Sequence, residues 1–288
     1  MKTLSEISRI NAFLATHPLT RRRRLSAAVR VLRWQITSRT HDEVIVDWIG
    51  GTRLAARRGM TGLTGNIYAG LHEFADMAFL LHFLRPSDVF ADVGANVGSY
   101  TILASGVVRC HTVAFEPDPL TAAALERNVN LNQIANLVEI RVAAVGERHG
   151  TVRFSTGLDT ENHVVSAVDP SGRDVPIQTL DQAFLDSGRI PALIKLDVEG
   201  YEAEVLRGAL ALLAAPGLKA ILTENRSPPV VDAIRNAGLT EVAYDAFGHQ
   251  LVPANEVPMV NALFLRDLDH VATRVAQTPP VRILGTMV

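Results

Sequence analysis

The amino-acid sequence predicts an α/β protein, in which helices cover both faces of a doubly wound, mostly parallel, seven-stranded sheet. Three observations predict this class. The 288 residues are 48% hydrophobic, which is enough to bury a large core. From residue 88 onward, short apolar runs alternate with helical stretches, as in parallel βαβ units with right-handed crossovers. A single cysteine, Cys110, excludes a disulfide framework and a cysteine-rich zinc module.

The elements follow from these runs in chain order. Predicted strands lie at 89–93, 111–115, 138–145, 192–196, 219–223, 240–244 and 262–266, and predicted helices lie at 98–107, 119–131, 200–213 and 229–237. Val152 to Phe154 and Val175 to Ile177 are expected to form an edge hairpin or extra strands. Upstream, residues 44–70 predict short strands and turns that end in a glycine-rich segment from Gly59, and a helix follows over 71–84.

The first residues are predicted to form a helical extension. Apolar residues recur at helical spacing from Leu4 to Leu14, His17-Pro18 interrupts the pattern, and it resumes from Leu25 to Ile36. We therefore divide the chain into a helical arm (1–39), a strand, turn and helix segment (40–87), a core (88–270) and a tail (271–288).

Charge is distributed unevenly along the chain. The formal net charge is −2, which argues against a dedicated nucleic-acid-binding protein. Residues 1–60 nevertheless carry +8 and the remainder −10, and Arg21 to Arg24 are four consecutive arginines. This cluster is either a patch for anions or a membrane surface, or a solvated helix face beside an acidic body. No signal peptide or membrane-spanning segment is expected, and we predict a cytoplasmic protein.

The most informative stretch is a buried strand that runs into a glycine turn, from Val89 to Thr101. Its pattern D-x-G-x-N-x-G, built on Asp92, Gly94, Asn96 and Gly98, lacks the glycine spacing of the dinucleotide fingerprint and the lysine of a phosphate loop. An acidic residue two positions before the first glycine suits the cationic amino-acid moiety of S-adenosylmethionine.

A second carboxylate supports the same cofactor. Glu116 follows the next strand, 22 residues after Gly94, where an acidic side chain can accept both ribose hydroxyls. After the third strand, the small apolar residues Ala143 to Val145 can pass beside an adenine ring.

With these residues placed, the chain resembles the FkbM family of S-adenosylmethionine-dependent methyltransferases. The matching segments are "FADVGANVGSYT", "AFEPDP" with "LERNVNLN", "AVGERHGTVRF" and "LIKLDVEGYEAEVLRGA", and the resemblance spans about residues 40–270. It implies the Rossmann-like class I methyltransferase fold and O-methylation of a hydroxyl on a sugar, glycan or secondary metabolite. We expect the cofactor-binding residues to be Glu73, Asp92, Gly94, Asn96, Gly98, Tyr100, Thr101, Glu116, Asp118, Ala144 and Asp197.

Methyl transfer to a hydroxyl needs a base or a Lewis acid beside the acceptor. The predicted catalytic residues are Asp197, His163 and Glu224, with His72 and His249 as further base candidates. Asp197, Glu224 and Asn225 also form an oxygen-ligand set suited to Mg²⁺ or another divalent cation. The alternative is that Asp197 and Glu199 cap the following helix, or bind substrate and cofactor without a metal.

Two other functions stay open from the residues alone. One is a nucleotide-cofactor oxidoreductase of Rossmann type, and the other is an inactive cofactor-binding module that interacts through its basic arm. The arm is also a candidate for a homodimer contact or a lid.

Overall fold

The computed structural model describes residues 4–155, 164 and 172–288, in which the strands form one large sheet, a second small sheet and two short hairpins. The strands are β1 (Val44–Asp47), β2 (Arg53–Ala56), β3 (Val89–Val93), β4 (His111–Phe115), β5 (Val138–Arg141), β6 (Ala144–Val145), β7 (Gly150–Phe154), β8 (Arg173–Gln178), β9 (Leu193–Leu196), β10 (Ala220–Thr223), β11 (Thr240–Asp245), β12 (Gln250–Val252), β13 (Ala262–Leu265), β14 (Arg282–Ile283) and β15 (Thr286–Met287).

The large sheet has the strand order β12-β11-β13-β10-β9-β3-β4-β5. Neighbouring strands from β5 to β10 are parallel, and β13 runs antiparallel to both β10 and β11. All seven predicted strands contribute to this sheet, and β12 adds an eighth at the edge that the sequence pattern did not reveal. The doubly wound, mostly parallel class I methyltransferase fold is therefore confirmed.

The order of the strands also positions a ligand cleft. From β3, the chain continues outward through β4 and β5, and it later returns to the other side of β3 with β9. The carboxyl ends of β3 and β9 are therefore neighbours at the switch point, where open α/β sheets bind ligands.

Helices pack on both faces of the large sheet. They are α1 (Leu4–Thr16), α2 (Arg24–Thr40), α3 (Thr61–Ala69), α4 (Phe74–Phe83), α5 (Ser99–Thr101), which continues as a π-helix (Ile102–Val108), α6 (Pro119–Leu131), α7 (Leu180–Leu185), α8 (Glu202–Arg207), α9 (Leu210–Ala214), α10 (Pro228–Asn236) and α11 (Leu268–Ala276). Successive strand residues face opposite cores: Phe90 packs in the core with α4, whereas Ala91 packs in the core with α8 and α9.

Two predicted elements are divided in the structure. The predicted strand 138–145 ends at Arg141, and its last residues form β6, which pairs with β8 in a separate three-stranded sheet. The predicted hairpin is confirmed in that sheet, where β7 pairs antiparallel to β8. The predicted helix 200–213 is split into α8 and α9 at Gly208, where a Cβ atom would lie 2.0 Å from the backbone oxygen of Gly146.

The glycine-rich segment after β2 was expected to be strands and turns, and this expectation is wrong. It forms the helix α3, and the predicted helix 71–84 begins only at Phe74. Leu63 and Ile67, one turn apart in α3, are buried in a core that includes Trp34 of α2. This packing outweighs the low helix propensity of glycine.

The ends of the chain pack on the same body. Helix α2 lies against α3, and the carboxyl-terminal hairpin β14–β15 is reached by the Arg23 guanidinium, which donates to the carbonyl oxygen of Leu284 at 2.7 Å. Helix α11 crosses the predicted boundary at 270. Among the described helices, none has the length and apolarity needed to cross a bilayer.

Buried Asn128 of α6 joins three elements around the glycine turn. Its Oδ1 accepts a hydrogen bond from the backbone N–H of Ala55 in β2 at 2.7 Å, and its Nδ2 donates to the carbonyl oxygen of Val97 at 2.9 Å. The side chain is completely buried, so both partners depend on it for their hydrogen bonds.

We expect Asn128→Ala to lower the free energy of unfolding by about 3 kcal/mol, because it leaves a buried N–H and a buried carbonyl unpaired. Asn130→Ala, on the exposed side of the same helix, is the matched control and should change stability by less than about 0.5 kcal/mol. Urea unfolding of both variants provides the measurement. Equal stabilities for the two variants would show that Asn128 does not hold the turn.

Candidate active site

A cleft opens at the carboxyl ends of β3, β4 and β9 and encloses about 300 Å³, a volume typical of small-molecule sites. The predicted residues that line it are Glu73, Asp92, Gly94, Asn96, Tyr100, Glu116, Ala144, Asp197 and Glu224. Segments far apart in the chain therefore contribute to one cavity.

The turn after β3 is fixed between its two neighbouring strands. The backbone N–H groups of Gly94 and Ala95 both donate to the carbonyl oxygen of Phe115, at 3.0 and 2.9 Å. Gly94 has a φ of +80°, and a Cβ atom there would lie only 1.8 Å from the backbone oxygen of Asp197. Only glycine permits this approach, so the residue brings the ends of β3 and β9 together.

Glu116, at the end of β4, is held by the backbone on both of its carboxylate oxygens. Its Oε2 accepts from the N–H of Asn96 and its Oε1 from the N–H of Asp118, both at 2.9 Å. Burial raises the pKa of Glu116 to about 7. Each oxygen keeps a further lone pair, so the carboxylate can accept two hydroxyl groups from a ligand in the cleft.

Asp92 lies beneath the turn and is 2% exposed. Its Oδ2 accepts from the hydroxyl of Thr101 at 2.6 Å, and burial raises the pKa of Asp92 to about 6. Gly98, with a φ of +93°, precedes α5 in a conformation that favours glycine. Thr101 and Gly98 therefore shape the turn from behind and are not among the residues that line the cleft.

Lys195 of β9 is the residue that sequence reasoning missed. It is 1% exposed, pairs in strand register with Asp92, and donates from Nζ to Oδ2 of Asp197 at 2.8 Å. Its ammonium lies 5.0 Å from the ring centroid of Tyr100. Burial lowers the pKa of Lys195, but Asp197 and Glu73 raise it more, so the net shift is upward and the side chain stays charged.

Next to Lys195, the side chains of Tyr100, Glu73 and Asn261 form a hydrogen-bonded group. The Tyr100 hydroxyl donates to Oε2 of Glu73, which also accepts from Nδ2 of Asn261 at 2.9 Å. Burial and the charge of Glu73 raise the pKa of Asp76 to about 7. Carboxylates therefore outnumber the single ammonium, and the cleft favours a cationic ligand.

Two predicted cofactor contacts differ in role. Ala144 lines the cleft with small apolar neighbours, as expected for an adenine wall. Asp118 instead caps α6, because its Oδ1 accepts from the backbone N–H groups of Leu120 and Thr121 at 2.7 and 3.0 Å. Its side chain is not among the residues that line the cleft.

Of the predicted metal ligands, Asp197 and Glu224 lie together, whereas the side chain of Asn225 is engaged by other residues. Asn225 donates from Nδ2 to Oε2 of buried Glu202 at 2.7 Å and accepts from the N–H of Ser227 at 2.9 Å, so both of its polar atoms are engaged. The carboxylate of Glu199 lies beside those of Asp197 and Glu224.

In that group the carboxylate oxygens of Asp197, Glu199 and Glu224 lie within 4.8 Å of one another. The ammonium of Lys195, however, already occupies the Asp197 carboxylate. Lys195 therefore competes with a cation for this carboxylate, and a metal ion bound by these residues stays a prediction.

Glu224 has the pKa of a base that works near neutral pH. Burial, followed by repulsion from Asp197 and Glu199, raises the pKa of Glu224 to about 7. Its side chain remains accessible from the open cleft. A carboxyl group with this pKa can take a proton from a substrate hydroxyl.

The histidines are placed differently. His163 lies outside the described residues, so its catalytic role stays a prediction. His72 lines the cleft against α3, and burial lowers its pKa, so it is neutral at physiological pH. His249 stacks on His82 at 3.9 Å between ring centroids and is not among the cleft residues.

Residues 92–237, just over half of the chain, match the family described as "Methyltransferase FkbM domain". The chain belongs to the FkbM methyltransferase family. The matched residues begin at Asp92 and include Glu116, Lys195, Asp197 and Glu224, the polar residues from which the cleft is built.

Two curated relatives in this family are similar over part of the chain. One is "Hexuronic acid methyltransferase AglP" of Haloferax volcanii, 30% identical over 134 residues, which are 45% of this chain and 53% of that protein. The other is "31-O-demethyl-FK506 methyltransferase FkbM" of Streptomyces tacrolimicus, 39% identical over 85 residues, 28% of this chain and 32% of that one. The chain thus spans about half of the first relative's length and a third of the second's.

Among solved structures, an FkbM methyltransferase from Methylobacillus flagellatus KT is 17% identical. The match covers 64% of this chain and 44% of that one, with a TM-score of 0.44.

Members of a methyltransferase family use S-adenosylmethionine, and the cleft of this FkbM-family chain fits it. Glu116 can accept the two ribose hydroxyls, and Ala144 leaves room for a flat ring. The excess of carboxylates around Lys195 suits a ligand that carries a sulfonium and an ammonium group.

We expect Lys195→Met to lower the free energy of unfolding by about 3 kcal/mol at neutral pH, because it leaves Asp197 and its neighbours without their buried cation. The difference in the free energy of unfolding between the variant and the unaltered protein should become smaller in acid, where the carboxylates around position 195 take up protons. Lys219→Met is the matched control, since it removes a more exposed ion pair with Asp267 (3.1 Å) and should cost less than about 1 kcal/mol. Urea unfolding of both variants at neutral and acidic pH tests this, and indistinguishable curves would contradict it.

Proposed function

We propose that the protein transfers the methyl group of S-adenosylmethionine to a hydroxyl of a sugar, glycan or related secondary metabolite. One observation carries the proposal: a cleft in which Glu116 is presented by two backbone N–H groups, opposite the carboxylates of Asp197 and Glu224. The end of the cleft at Glu116 suits a nucleoside, and the end at Asp197 and Glu224 suits an acceptor hydroxyl that must lose a proton. Two relatives are named as methyltransferases of hexuronic acid and of 31-O-demethyl-FK506, and these names support a sugar or a secondary metabolite as acceptor.

Bound S-adenosylmethionine supplies an electrophilic methyl group, and its transfer forms an oxygen–carbon bond, breaks a sulfur–carbon bond and leaves S-adenosylhomocysteine. The residues of this chain orient the reactants and remove the proton. Glu116 would hold the ribose, and Asp197, fixed by Lys195, would bind the cationic end of the cofactor.

We assign the general base to Glu224. The Asp197 carboxylate is engaged by the Lys195 ammonium at 2.8 Å, whereas Glu224 is accessible and its pKa is raised to about 7. The acceptor hydroxyl gives its proton to Glu224 as the oxygen attacks the methyl carbon. Bulk water then removes that proton from the accessible carboxyl.

The first test is cofactor binding. Only ionised Glu116 accepts both ribose hydroxyls, and its pKa is raised to about 7. We therefore expect the affinity for S-adenosylhomocysteine, measured by calorimetry, to rise about tenfold between about pH 6 and about pH 8. Glu116→Gln should weaken binding and remove this pH dependence, whereas Glu126→Gln, on the exposed side of α6, should change neither. Preferential binding of NADH would instead favour an oxidoreductase.

The second test is the pH profile of methyl transfer. Radiolabelled S-adenosylmethionine is supplied with hexuronic-acid-bearing oligosaccharides and hydroxylated macrolides as acceptors. Activity should rise with pH until Glu224 is deprotonated, near about pH 7, and then level off. Glu224→Gln should lower kcat by about 10²- to 10⁴-fold and abolish the rising limb while cofactor affinity is kept.

The same assay in EDTA separates a base from a metal. Full activity in EDTA is expected, because Lys195 occupies the Asp197 carboxylate. Loss of activity that Mg²⁺ restores would show instead that Asp197, Glu199 and Glu224 bind a cation. No transfer to any acceptor, with cofactor binding intact, would favour the inactive module.

A further inference from the structure

Helix α2 has an exposed apolar stripe that the proposed methyl transfer does not use. Four large apolar residues project into solvent from its outer side: Leu25 is 86% exposed, Val29 64%, Leu32 61% and Ile36 56%. Their spacing of four, three and four residues places them within about 60° around the helix axis, along about 17 Å of its length. We call these four residues the α2 stripe.

The opposite side of α2 is already occupied by the protein body. Ala27, Trp34 and Ser38 are buried there. The Arg30 guanidinium donates to the carbonyl oxygen of Tyr68 in α3 at 2.9 Å, and Gln35 donates to the Tyr68 hydroxyl at 2.7 Å. These contacts fix the orientation of α2, so the α2 stripe faces solvent in the folded protein.

Basic residues surround the stripe. Arg21, Arg22 and Arg24 are exposed at the start of α2, and Arg33 and Arg39 are exposed further along. Helix α2 itself contains no aspartate or glutamate, and across the described residues no ion pair engages these five arginines.

The arginine cluster does not stabilise the helix. Cations at a helix amino terminus oppose the helix dipole, and the first turn of α2 has no acidic residue to compensate. Of Arg21 to Arg24, only the side chain of Arg23 makes a hydrogen bond within the described residues, to the carbonyl oxygens of Leu284 and Gly285, and further along Arg39 donates to Oε1 of Gln35 at 2.9 Å. The remaining charges therefore point to a partner outside the protein.

We propose that α2 docks this protein on the surface of an anionic lipid bilayer, with the α2 stripe inserted among the acyl chains and the flanking arginines on the phosphates. A narrow apolar side bordered by arginines, on a helix too short and too charged to span, is the pattern of an interfacial helix. The surface charge of an anionic leaflet complements a segment of +8 and repels the body of −10, which fixes the orientation.

A second copy of the chain fits the stripe less well. Packing α2 on α2 would bring arginines from both helices to one interface, and neither helix has a carboxylate to pair with them. The bilayer satisfies the apolar side and the charges together.

Docking would also orient the cleft. Helix α3, against which α2 packs, contributes Gly62, Leu63 and Asn66 to the cleft wall. Helices α2 and α3 would therefore lie between the bilayer surface and the cleft.

Vesicle sedimentation of the full chain tests the proposal. The protein should pellet with phosphatidylcholine vesicles that contain phosphatidylglycerol, and at least tenfold less with phosphatidylcholine alone or at high salt. Arg21→Gln/Arg22→Gln/Arg24→Gln should weaken binding about 100-fold, since each arginine contributes about fivefold. Leu25→Gln/Leu32→Gln should weaken it at least tenfold.

The matched control is Leu120→Gln/Leu210→Gln, which changes two leucines of similar exposure (80% and 67%) elsewhere on the surface. It should bind vesicles like the unaltered protein. Unchanged affinity for S-adenosylhomocysteine in every variant shows that each is folded.

The proposal is overturned if the unaltered protein stays in the supernatant with both kinds of vesicle, or if the stripe variant pellets as well as its control. Light scattering that shows a dimer, converted to a monomer by Leu25→Gln/Leu32→Gln without any vesicle binding, would assign the stripe to a second copy.

Discussion

The arrangement of the cleft depends on one buried ammonium. Lys195 is the single cation among Asp92, Asp197, Glu73 and their neighbours in the described cleft, and it lies at the centre of the large sheet. Without it, carboxylates on three adjoining segments would repel one another in a region from which water is largely excluded. With it, an oxygen of the Asp197 carboxylate is fixed at the mouth of the cleft by a 2.8 Å hydrogen bond.

This arrangement leaves the free protein short of positive charge. The carboxylates of Asp92, Glu116 and Asp76 are buried with raised pKa values, so ionising them at neutral pH costs stability. A cationic ligand relieves that cost, which links the instability of the empty site to its choice of cofactor. A metal ion at the same place would have to compete with Lys195 for the Asp197 carboxylate.

Many of the strands and helices could be predicted from the sequence, because they depend on interactions between residues close together in the chain. β3, β4 and α6 lie at the residues predicted for them, because their apolar periodicity and the Pro119 start signal depend only on near neighbours. Elements decided by distant contacts were missed: α3 forms in a glycine-rich segment because it packs on α2, and β6 separates from β5 to pair with β8. Lys195 left a signal, a lysine inside an apolar strand, but its strand partner Asp92 is 103 positions away and could not be identified.

The sequence by itself determined the fold class, the family, and the acidic residues near the ends of β3, β4 and β9, since the alternation of strands and helices and the residue types follow from local pattern. Only the tertiary structure decided which of those side chains act together. The carboxylate of Glu199 lies beside those of Asp197 and Glu224, and the Asn225 amide donates to the buried carboxylate of Glu202. The tertiary structure also decided that the α2 stripe faces solvent. Both depend on burial and on contacts between residues far apart in the chain, which no local pattern records.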